Sequence, residues 1–293
     1  MTCTLCPRAC GADRARAPGL CGAPWEMRVA RAAAHFGEEP CISGTRGSGT
    51  IFFAGCGLRC VFCQNAAISR DDAAGKTVDI TELRAAMDRL RAAGVHNLNL
   101  VTASHYTDAV AEALTGYSPG LPVVWNSSGY ERADTLRRLR GKIQVYLPDF
   151  KFFDPALAAR FAAAPDYPEA AKAALLEMFS QVGDIELDGD GLLTRGLLIR
   201  HLVLPGHVQD SLRVIDWVAE TFPPGTVMFS LLAQYTPMPG LEAVCPELAR
   251  RLAPEEYRRA EEALYASRIT QGYVQELDAA GETYIPAFDL TGV

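Results

Sequence analysis

The cysteines of this chain give its clearest chemical signal. Eight of the nine lie in the first 63 residues, and Cys56, Cys60 and Cys63 follow an apolar, strand-like run at spacings of three and two intervening residues. Three thiolates on one loop can bind one metal centre, and soft iron sites prefer thiolate ligands. A four-iron cluster normally takes four cysteines, so three would leave one iron open to another molecule. A zinc site, or three unrelated thiols, is the alternative.

A second set of thiols lies in the basic, loop-like segment 1–31, which has too few apolar residues for a core of its own. Its members are Cys3, Cys6, Cys10 and Cys21. Four thiols can fill every position of a structural zinc site or of an auxiliary iron–sulfur cluster, and a segment without a core needs such a centre to fold. The spacing leaves zinc and iron–sulfur open. Cys41 could replace one of these ligands, and Cys245 is expected to be a buried free thiol.

Composition and charge exclude several classes of function. Of the 293 residues, 49% are apolar, which allows a substantial core. The 28 basic and 35 acidic residues give a net charge of −7, so a basic nucleic-acid-binding surface is not expected. No apolar run is long enough to span a membrane and the first residues lack a signal-peptide pattern, so we expect a cytoplasmic protein without a membrane partner. An odd number of cysteines without an export signal argues against a disulfide framework.

Six apolar, strand-like runs follow the N-terminal segment, and a helical pattern follows each of them. The runs are Thr50–Ala54, Asn97–Thr102, Pro122–Asn126, Lys142–Leu147, Leu197–Leu204 and Val227–Leu232. The helical patterns start near Thr81, Tyr106, Glu131, Pro155, Val208 and Pro254. Continuous apolar runs are typical of strands buried on both faces, and repeated strand–helix units predict a parallel sheet. Six units are fewer than the eight of a complete barrel, so we predict an incomplete (β/α)6 barrel.

We expect this α/β fold to have a cysteine-rich N-terminal extension and a short C-terminal tail. The three parts are a metal-binding segment at 1–48, the partial barrel at 49–239 and a packed extension at 240–293. The acidic stretch Asp184–Gly191 is typical of a loop or a hairpin tip. The last part contains one helical pattern, Pro254–Ser267, and a strand-like run, Tyr273–Leu277. In parallel strand–helix folds, functional residues gather at the carboxyl ends of the strands.

The stretch Phe52–Asn65 resembles the signature of radical S-adenosylmethionine enzymes. Its cysteine spacing, with an aromatic residue before the last cysteine, is specific for that superfamily but not for any substrate. Over residues 50–235 the chain is most similar to pyruvate formate-lyase activating enzymes. A narrower resemblance, to the PflX-like branch, covers nearly the whole chain and includes Cys3–Cys10 and Glu39–Gly44.

The resemblance implies a cofactor and a reaction. Cys56, Cys60 and Cys63 would hold a [4Fe–4S] cluster whose open iron binds the amino and carboxylate groups of S-adenosylmethionine. One electron from the reduced cluster, supplied by a low-potential donor such as flavodoxin or ferredoxin, would break a C–S bond and release a 5′-deoxyadenosyl radical. That radical would abstract hydrogen from a glycyl-radical enzyme partner, or from a small molecule or other non-glycyl substrate. A non-catalytic iron–sulfur electron carrier is the third alternative.

The resemblance also implies cofactor contacts in the loops after other strands. Phe62 would pack near the adenine, and a core phenylalanine is the alternative. Ser104 and His105 stand in the loop where activating enzymes have Ser-Gly-Gly-Glu. His105 is either a ligand or proton donor, or part of a polar, helix-capping loop. Asn126 stands in place of an aspartate of the family, and Ser128 follows it on the same loop.

The remaining implied contacts lie after the fourth, fifth and sixth runs. Asp149 and Lys151 match an Asp-x-Lys pattern, and residues two apart on a strand face the same side. Lys151 would pair with the cofactor carboxylate, and Asp149 would orient it or bind a cation; an ordinary ion pair is the alternative. Arg200 would contact the ribose or the carboxylate, and Leu202 the adenine. Tyr235 stands where activating enzymes have a histidine, and its hydroxyl can donate to the ribose.

Overall fold

A computed structural model of the chain describes residues 2–70, 74–279 and 285–293. Within these ranges the strands are β1 (Met27–His35), β2 (Ser48–Phe53), β3 (Lys76–Val78), β4 (Leu98–Val101), β5 (Val123–Ser127), β6 (Val145–Pro148), β7 (Glu186–Leu187), β8 (Leu193–Leu202), β9 (Met228–Leu232) and β10 (Gly272–Val274). The α-helices are α1 (Pro40–Ser43), α2 (Ala66–Ser69), α3 (Ile80–Ala92), α4 (Thr107–Leu114), α5 (Ala133–Leu136), α6 (Pro155–Ala162), α7 (Tyr167–Val182), α8 (Val208–Thr221), α9 (Leu241–Val244) and α10 (Pro254–Ala266). None of these helices combines the length and the apolar character needed to cross a membrane.

The strands form one sheet in the order β10-β9-β8-β6-β5-β4-β2-β1-β3, and β7 pairs with β8 beside this path. Neighbouring strands from β2 to β10 are parallel, whereas β1 is antiparallel to both β2 and β3. The six runs predicted from the sequence are β2, β4, β5, β6, β8 and β9, which lie side by side in chain order. The predicted α/β fold on a large, mainly parallel sheet is confirmed, and its closure into an incomplete (β/α)6 barrel stays a prediction.

Both faces of the central sheet are covered. Every residue of β2, β4, β5 and β6 is buried, as expected for parallel strands packed on two sides. On one face, side chains such as Trp125 and Tyr146 pack with the helices in the main core. On the other face, two residues of α1 pack against the inward side chains of β5, β6, β8 and β9. This second cluster contains Cys41, Ile42, Val124, Val145, Leu147, Leu198 and Met228. Helix α1 therefore forms a floor against that face of the sheet.

Strand β1 and helix α7 are among the elements that are not predicted from the sequence. Strand β1 begins at Met27, inside the segment expected to be loop-like through residue 31. Its sequence, MRVARAAAH, has no continuous apolar run, and its pairing with β2 and β3 defines it as a strand. Helix α7, with 16 residues the longest of the described helices, packs against α5, α6, β6 and β8. The division at 1–48, 49–239 and 240–293 stays a prediction.

Local capping signals agree with the helix starts. Helix α6 begins at Pro155, as predicted, because the carboxylate of Asp154 accepts the N–H of Ala156 at 2.7 Å. Helix α3 begins one residue before the predicted start, because Asp79 and Glu82 form a capping box. The acidic stretch after α7 contains β7, which pairs antiparallel with β8 and so forms the expected hairpin.

The C-terminal part contacts the sheet near both sides, at β9 and at β1. Helix α10 packs on α8, and β10 adds a parallel strand beside β9. The last residues lie on β1, where the N–H of Ala32 donates to the carbonyl of Thr291 at 2.9 Å and Arg31 pairs with Asp289 at 3.0 Å. These contacts place residues 289–291 beside the outer part of the sheet that carries β1.

Candidate active site

A cavity of about 240 Å³ opens where the parallel strands end. Eleven of the residues assigned to the cluster or the cofactor line it: Cys56, Cys60, Phe62, Cys63, Asn126, Ser128, Asp149, Lys151, Arg200, Leu202 and Tyr235. They lie on, or directly after, β2, β5, β6, β8 and β9. These residues are distant in sequence, so the sheet is what brings them to one cavity.

Main-chain hydrogen bonds hold the loop that carries the three cysteines, residues 56–63, which we call the ligand loop. The N–H of Cys56 donates to the carbonyl of Cys21 at 2.9 Å, and the N–H of Val61 donates to that of Phe161 at 2.8 Å. Gly55 has φ +87°, and a Cβ there would lie 2.8 Å from the carbonyl oxygen of Cys21. The entry to the ligand loop therefore requires glycine.

The three thiols of the ligand loop line the cavity together. Burial, with further contributions from Cys63 and Cys60, raises the pKa of Cys56 to about 12. Burial also raises the pKa of Cys60 to about 12, although the ammonium of Lys151 opposes the shift. Free of metal, Cys56 and Cys60 are protonated at neutral pH, and a bound cation is what makes their thiolate form favourable at such a buried place.

The donor set of the cavity fits an iron–sulfur cluster with one open iron. Within the described residues, no fourth cysteine lines the cavity, and no three Cys, His, Asp or Glu side chains surround a position for a single ion. A zinc ion would draw its thiolates to about 2.3 Å from one point. A cluster needs no such convergence, because each cysteine binds a different iron. Three thiols then leave one iron for another ligand.

A partly buried group of charges, which we call the ionic network, is centred on Arg200 in the same cavity. Its Nε donates to Oδ1 of Asp149 at 3.0 Å, and its Nη1 donates to Oε2 of Glu38 at 3.0 Å. Its Nη2 donates to Oδ1 of Asn126 at 2.6 Å, and Nζ of Lys151 donates to Oδ2 of Asp149 at 2.6 Å. Burial opposes the ionisation of Asp149, but Lys151 and Arg200 outweigh it and hold the pKa of that carboxyl below its ordinary value. Asp149 therefore stays ionised between two cations.

Glu38 is a member of the ionic network that the sequence did not reveal. Its Oε1 accepts hydrogen bonds from the side-chain amides of Asn99 and Asn126, each at 3.0 Å, and the residue lines the cavity. Burial raises the pKa of Glu38, although Arg200 opposes the shift. Glu38 follows the antiparallel strand β1, so it does not lie in one of the loops after parallel strands, where functional residues are expected. The one local signal is the acidic pair at 38–39 before a helix-starting proline.

Ser104 and His105 lie outside the lining of the cavity. His105 is 3% exposed, and its Nε2 lies 2.8 Å from the carbonyl oxygen of Ala54. The main-chain carbonyl of His105 accepts a hydrogen bond from Nη1 of Arg14 at 2.5 Å. Burial lowers the pKa of His105 to about 3, so the ring is neutral. Ser104 hydrogen-bonds to the buried Glu131. The contacts of both residues hold the loop after β4 in place, which favours the polar-loop alternative for His105.

Aromatic and aliphatic side chains form another wall of the cavity. The ring of Phe62 meets those of Tyr235 and Phe152 edge-on, with centroids 6.2 and 6.1 Å apart. The hydroxyl of Tyr235 donates to the carbonyl of Leu248 at 2.5 Å, so the main chain already engages it. Tyr235 therefore offers its ring to the cavity, next to Phe62 and Leu202.

The remaining cysteines separate into one group and two single thiols. Cys6 lies beside the ligand loop, because a Cβ on Gly57 would be 3.7 Å from its Sγ, and Cys3, Cys10 and Cys21 influence its pKa. Cys41 hydrogen-bonds with Tyr273 in the floor below the sheet. Cys245 is fully buried in the main core, as expected for a free thiol. Neither single thiol shares the surroundings of the N-terminal group.

Comparisons with known proteins give a fold rather than a family. No known protein family's profile matches the chain. The chain is 28% identical to the uncharacterized protein MJ0674 of Methanocaldococcus jannaschii over 268 residues, which cover 88% of this chain and 72% of that protein. It is similar in structure to Streptococcus suis SuiB, with a TM-score of 0.51 and 12% identity over 76% of this chain. The chain has the fold of SuiB.

The chain spans 47% of SuiB, about half of its length. A second solved structure, that of methylornithine synthase (PylB), is similar with a TM-score of 0.45 and 14% identity, over 72% of this chain and 59% of that one.

Proposed function

We propose that this protein is a radical S-adenosylmethionine enzyme and that Cys56, Cys60 and Cys63 hold its [4Fe–4S] cluster. The observation that carries the proposal is one cavity in which the three thiols of the ligand loop face the same space as the ionic network. SuiB, whose fold the chain shares, is a radical S-adenosylmethionine enzyme, and this supports the proposal.

The ionic network provides a cation for the carboxylate of S-adenosylmethionine. Held by Cys56, Cys60 and Cys63, a cluster would supply the electron for reductive cleavage of the sulfonium, and this chemistry would provide the radical for hydrogen abstraction from a substrate. The ammonium of Lys151 has three N–H groups and donates one of them to Asp149, which leaves donors for a carboxylate. All three guanidinium nitrogens of Arg200 donate within the network, so we assign it a positioning role.

The apolar wall and the neighbouring polar groups complete the proposed cofactor site. Phe62, Leu202 and the ring of Tyr235 offer apolar surface to an adenine. Asn126 and Ser128 add polar groups at the end of β5. An electron carrier needs no cofactor-sized cavity with paired charges, so the carrier alternative explains less of this arrangement.

Two classes of hydrogen donor remain as proposals. A glycyl-radical enzyme partner is the candidate that the resemblance to activating enzymes supports. A small molecule or other non-glycyl substrate is supported by Ile285 and Pro286, which line the cavity just before residues 289–291 pack on β1. The loop of a protein partner must pass this segment, whereas a small molecule needs less room. A low-potential donor of the flavodoxin or ferredoxin class would reduce the cluster.

Formation of 5′-deoxyadenosine tests the proposal. Anaerobically reconstituted and reduced protein is incubated with S-adenosylmethionine, and the product is measured by chromatography and mass spectrometry. We expect product from the wild type and from the control Cys245→Ala, which lacks a thiol outside the cavity. We expect none from Cys60→Ala, whose electron paramagnetic resonance spectrum should also lack the normal reduced cluster. A fully loaded, reduced wild type without product would refute the enzyme and leave the carrier.

A separate measurement distinguishes the two classes of hydrogen donor. The active protein is mixed with candidate glycyl-radical enzymes and examined by electron paramagnetic resonance. A glycyl-radical signal that Cys60→Ala does not produce would support the protein partner. Product formation without such a signal in any candidate would support the small-molecule class.

A further inference from the structure

The four N-terminal thiols lie close to one another in a segment without regular structure. Residues 2–26 contain no helix and no strand. Burial, with smaller contributions from Cys21, Cys3 and Cys10, raises the pKa of Cys6 to about 11, so all four thiols are within electrostatic reach. A Cβ on Gly19 would lie 3.4 Å from Sγ of Cys10 and 3.5 Å from Sγ of Cys21. The segment therefore wraps around its own thiols.

Main-chain N–H groups lie near these sulfurs in a repeating pattern. The N–H two residues after Cys6, Cys10 or Cys21 acts to lower the pKa of that cysteine, and the N–H of Leu20 does the same for Cys10. The ligand loop repeats the pattern, since the N–H of residue 58 donates to Cys56 at 3.4 Å. A hydrogen bond to sulfur favours the thiolate over the thiol. The backbone of the segment is thus arranged for thiolates, the form that binds metals.

Little else in the segment can hold this conformation. Its buried apolar side chains are those of Cys21 and Ala23, which are too few for a core. Arg14 is buried and donates to the carbonyls of Ala23 at 3.1 Å and of His105 at 2.5 Å. A coreless segment of this size normally needs a covalent or metal link to fold. All of its cysteines are free thiols, so a disulfide does not provide that link.

The segment lies directly against the ligand loop. The carbonyl of Cys21 accepts the N–H of Cys56 at 2.9 Å, and Nε of Arg8 donates to the carbonyl of Gly57 at 2.9 Å. Sγ of Cys6 would be 3.7 Å from a Cβ on the same Gly57. Whatever orders the N-terminal thiols therefore also orders the first residues of the ligand loop.

We propose that Cys3, Cys6, Cys10 and Cys21 hold a metal centre ligated by thiolates alone, and that this centre braces the ligand loop. Four thiolates fill a tetrahedral zinc site or a fully ligated iron–sulfur cluster, and neither leaves a position for substrate. In the described residues the four sulfurs do not surround one point, so zinc would draw them together whereas a cluster would span them. The role is structural and does not depend on what the neighbouring cavity binds.

Metal analysis of a variant without the neighbouring centre tests the site. In Cys56→Ser/Cys60→Ser/Cys63→Ser the N-terminal thiols are intact, so tightly bound metal belongs to them. After anaerobic reconstitution with zinc, iron and sulfide, we expect roughly one zinc, or two to four irons with sulfide, per chain. The further changes Cys3→Ser/Cys6→Ser should remove that metal. A triple variant that binds neither metal would overturn the proposal, whatever the folding of the quintuple variant.

Limited proteolysis tests the bracing role. Arg59 is exposed in the ligand loop, and Arg268 is exposed beyond α10 as a matched control site. Stripping the metal from the triple variant should raise tryptic cleavage at Arg59 roughly tenfold relative to Arg268, because cleavage follows the population of the opened loop. An unchanged ratio would refute the brace. Wild-type protein that forms 5′-deoxyadenosine while the triple variant binds no metal would refute this inference and leave the proposed function standing.

Discussion

Acidification should destabilise this protein in a way that His105 controls. Burial lowers the pKa of His105 from its ordinary value of 6.5 to about 3. On acidification, this imidazole therefore binds a proton near pH 6 in the unfolded chain but stays neutral in the folded chain. Stability is therefore complete above pH 6.5 and falls as the pH drops below it, until the folded ring also protonates near pH 3. The variant His105→Gln removes the titration and keeps an N–H that can donate to the carbonyl of Ala54.

The magnitude follows from the pH interval. At about pH 5.5, one unit below the ordinary value, the proton stabilises the unfolded chain by about 1.4 kcal/mol, and at about pH 7.5 by about 0.1 kcal/mol. Between these two pH values the wild type should therefore lose about 1.3 kcal/mol more unfolding free energy than His105→Gln. Other buried histidines, such as His201, titrate in both proteins, and their contributions cancel in the difference.

Urea unfolding of matched wild-type and variant samples at both pH values measures this difference. Equal losses in the two proteins would refute the buried, neutral imidazole. Formation of 5′-deoxyadenosine by the same variant decides between the two interpretations of His105. We expect turnover to persist, because the ring contacts the loop and not the cavity. Loss of turnover at unchanged stability would restore the ligand or proton-donor interpretation.

Three further substitutions test the ionic network and the fold. Glu38→Gln removes one carboxylate from Arg200 and should raise the KM for S-adenosylmethionine about tenfold in steady-state assays, which corresponds to about 1.4 kcal/mol. An unchanged KM would contradict the positioning role of Glu38. Lys151→Met should raise that KM roughly 10- to 100-fold, with partial recovery in Lys151→Arg, and equal values for both variants would argue against a charge contact. Asp79→Ala removes the cap of α3 and should lower the unfolding free energy by about 1 kcal/mol in urea titrations without altering turnover. Altered turnover in this last variant would show that α3 communicates with the cavity.

The predictable part of the fold is the part whose pattern is local. The six parallel strands are visible as apolar runs because each is buried on both faces. The start of α6 is predicted by a signal only a few residues long, Asp154 followed by Pro155. Strand β1 has no such pattern, since arginines interrupt an alanine-rich stretch and the pairing with β2 makes it a strand. Helix α7 is the second helix between β6 and β8, and the predicted strand–helix unit there contains one helix, which corresponds to α6.

The same distinction applies to the site. Eleven assigned residues line the cavity, because each belongs to a motif on one loop or strand end and parallel strands bring those ends together. The role of Glu38 is not predictable from the sequence, because its partners Asn99 and Arg200 are 61 and 162 residues away in the chain. His105 is the opposite case, since its loop resembles a cofactor-binding position in sequence whereas its ring nitrogen lies at hydrogen-bond distance from the carbonyl oxygen of Ala54.

Spacing along one loop is a property of the chain, so the sequence alone predicts the three thiols of the ligand loop and the chemistry open to them. Which charges meet is a property of the packed sheet. Arg200 gains Glu38, Asn126 and Asp149 only when β8 lies beside β6 and near β5, with the loop after β1 beneath them. Burial then decides the protonation of each group, because the cost of an ion away from water depends on neighbours that no short stretch of sequence contains.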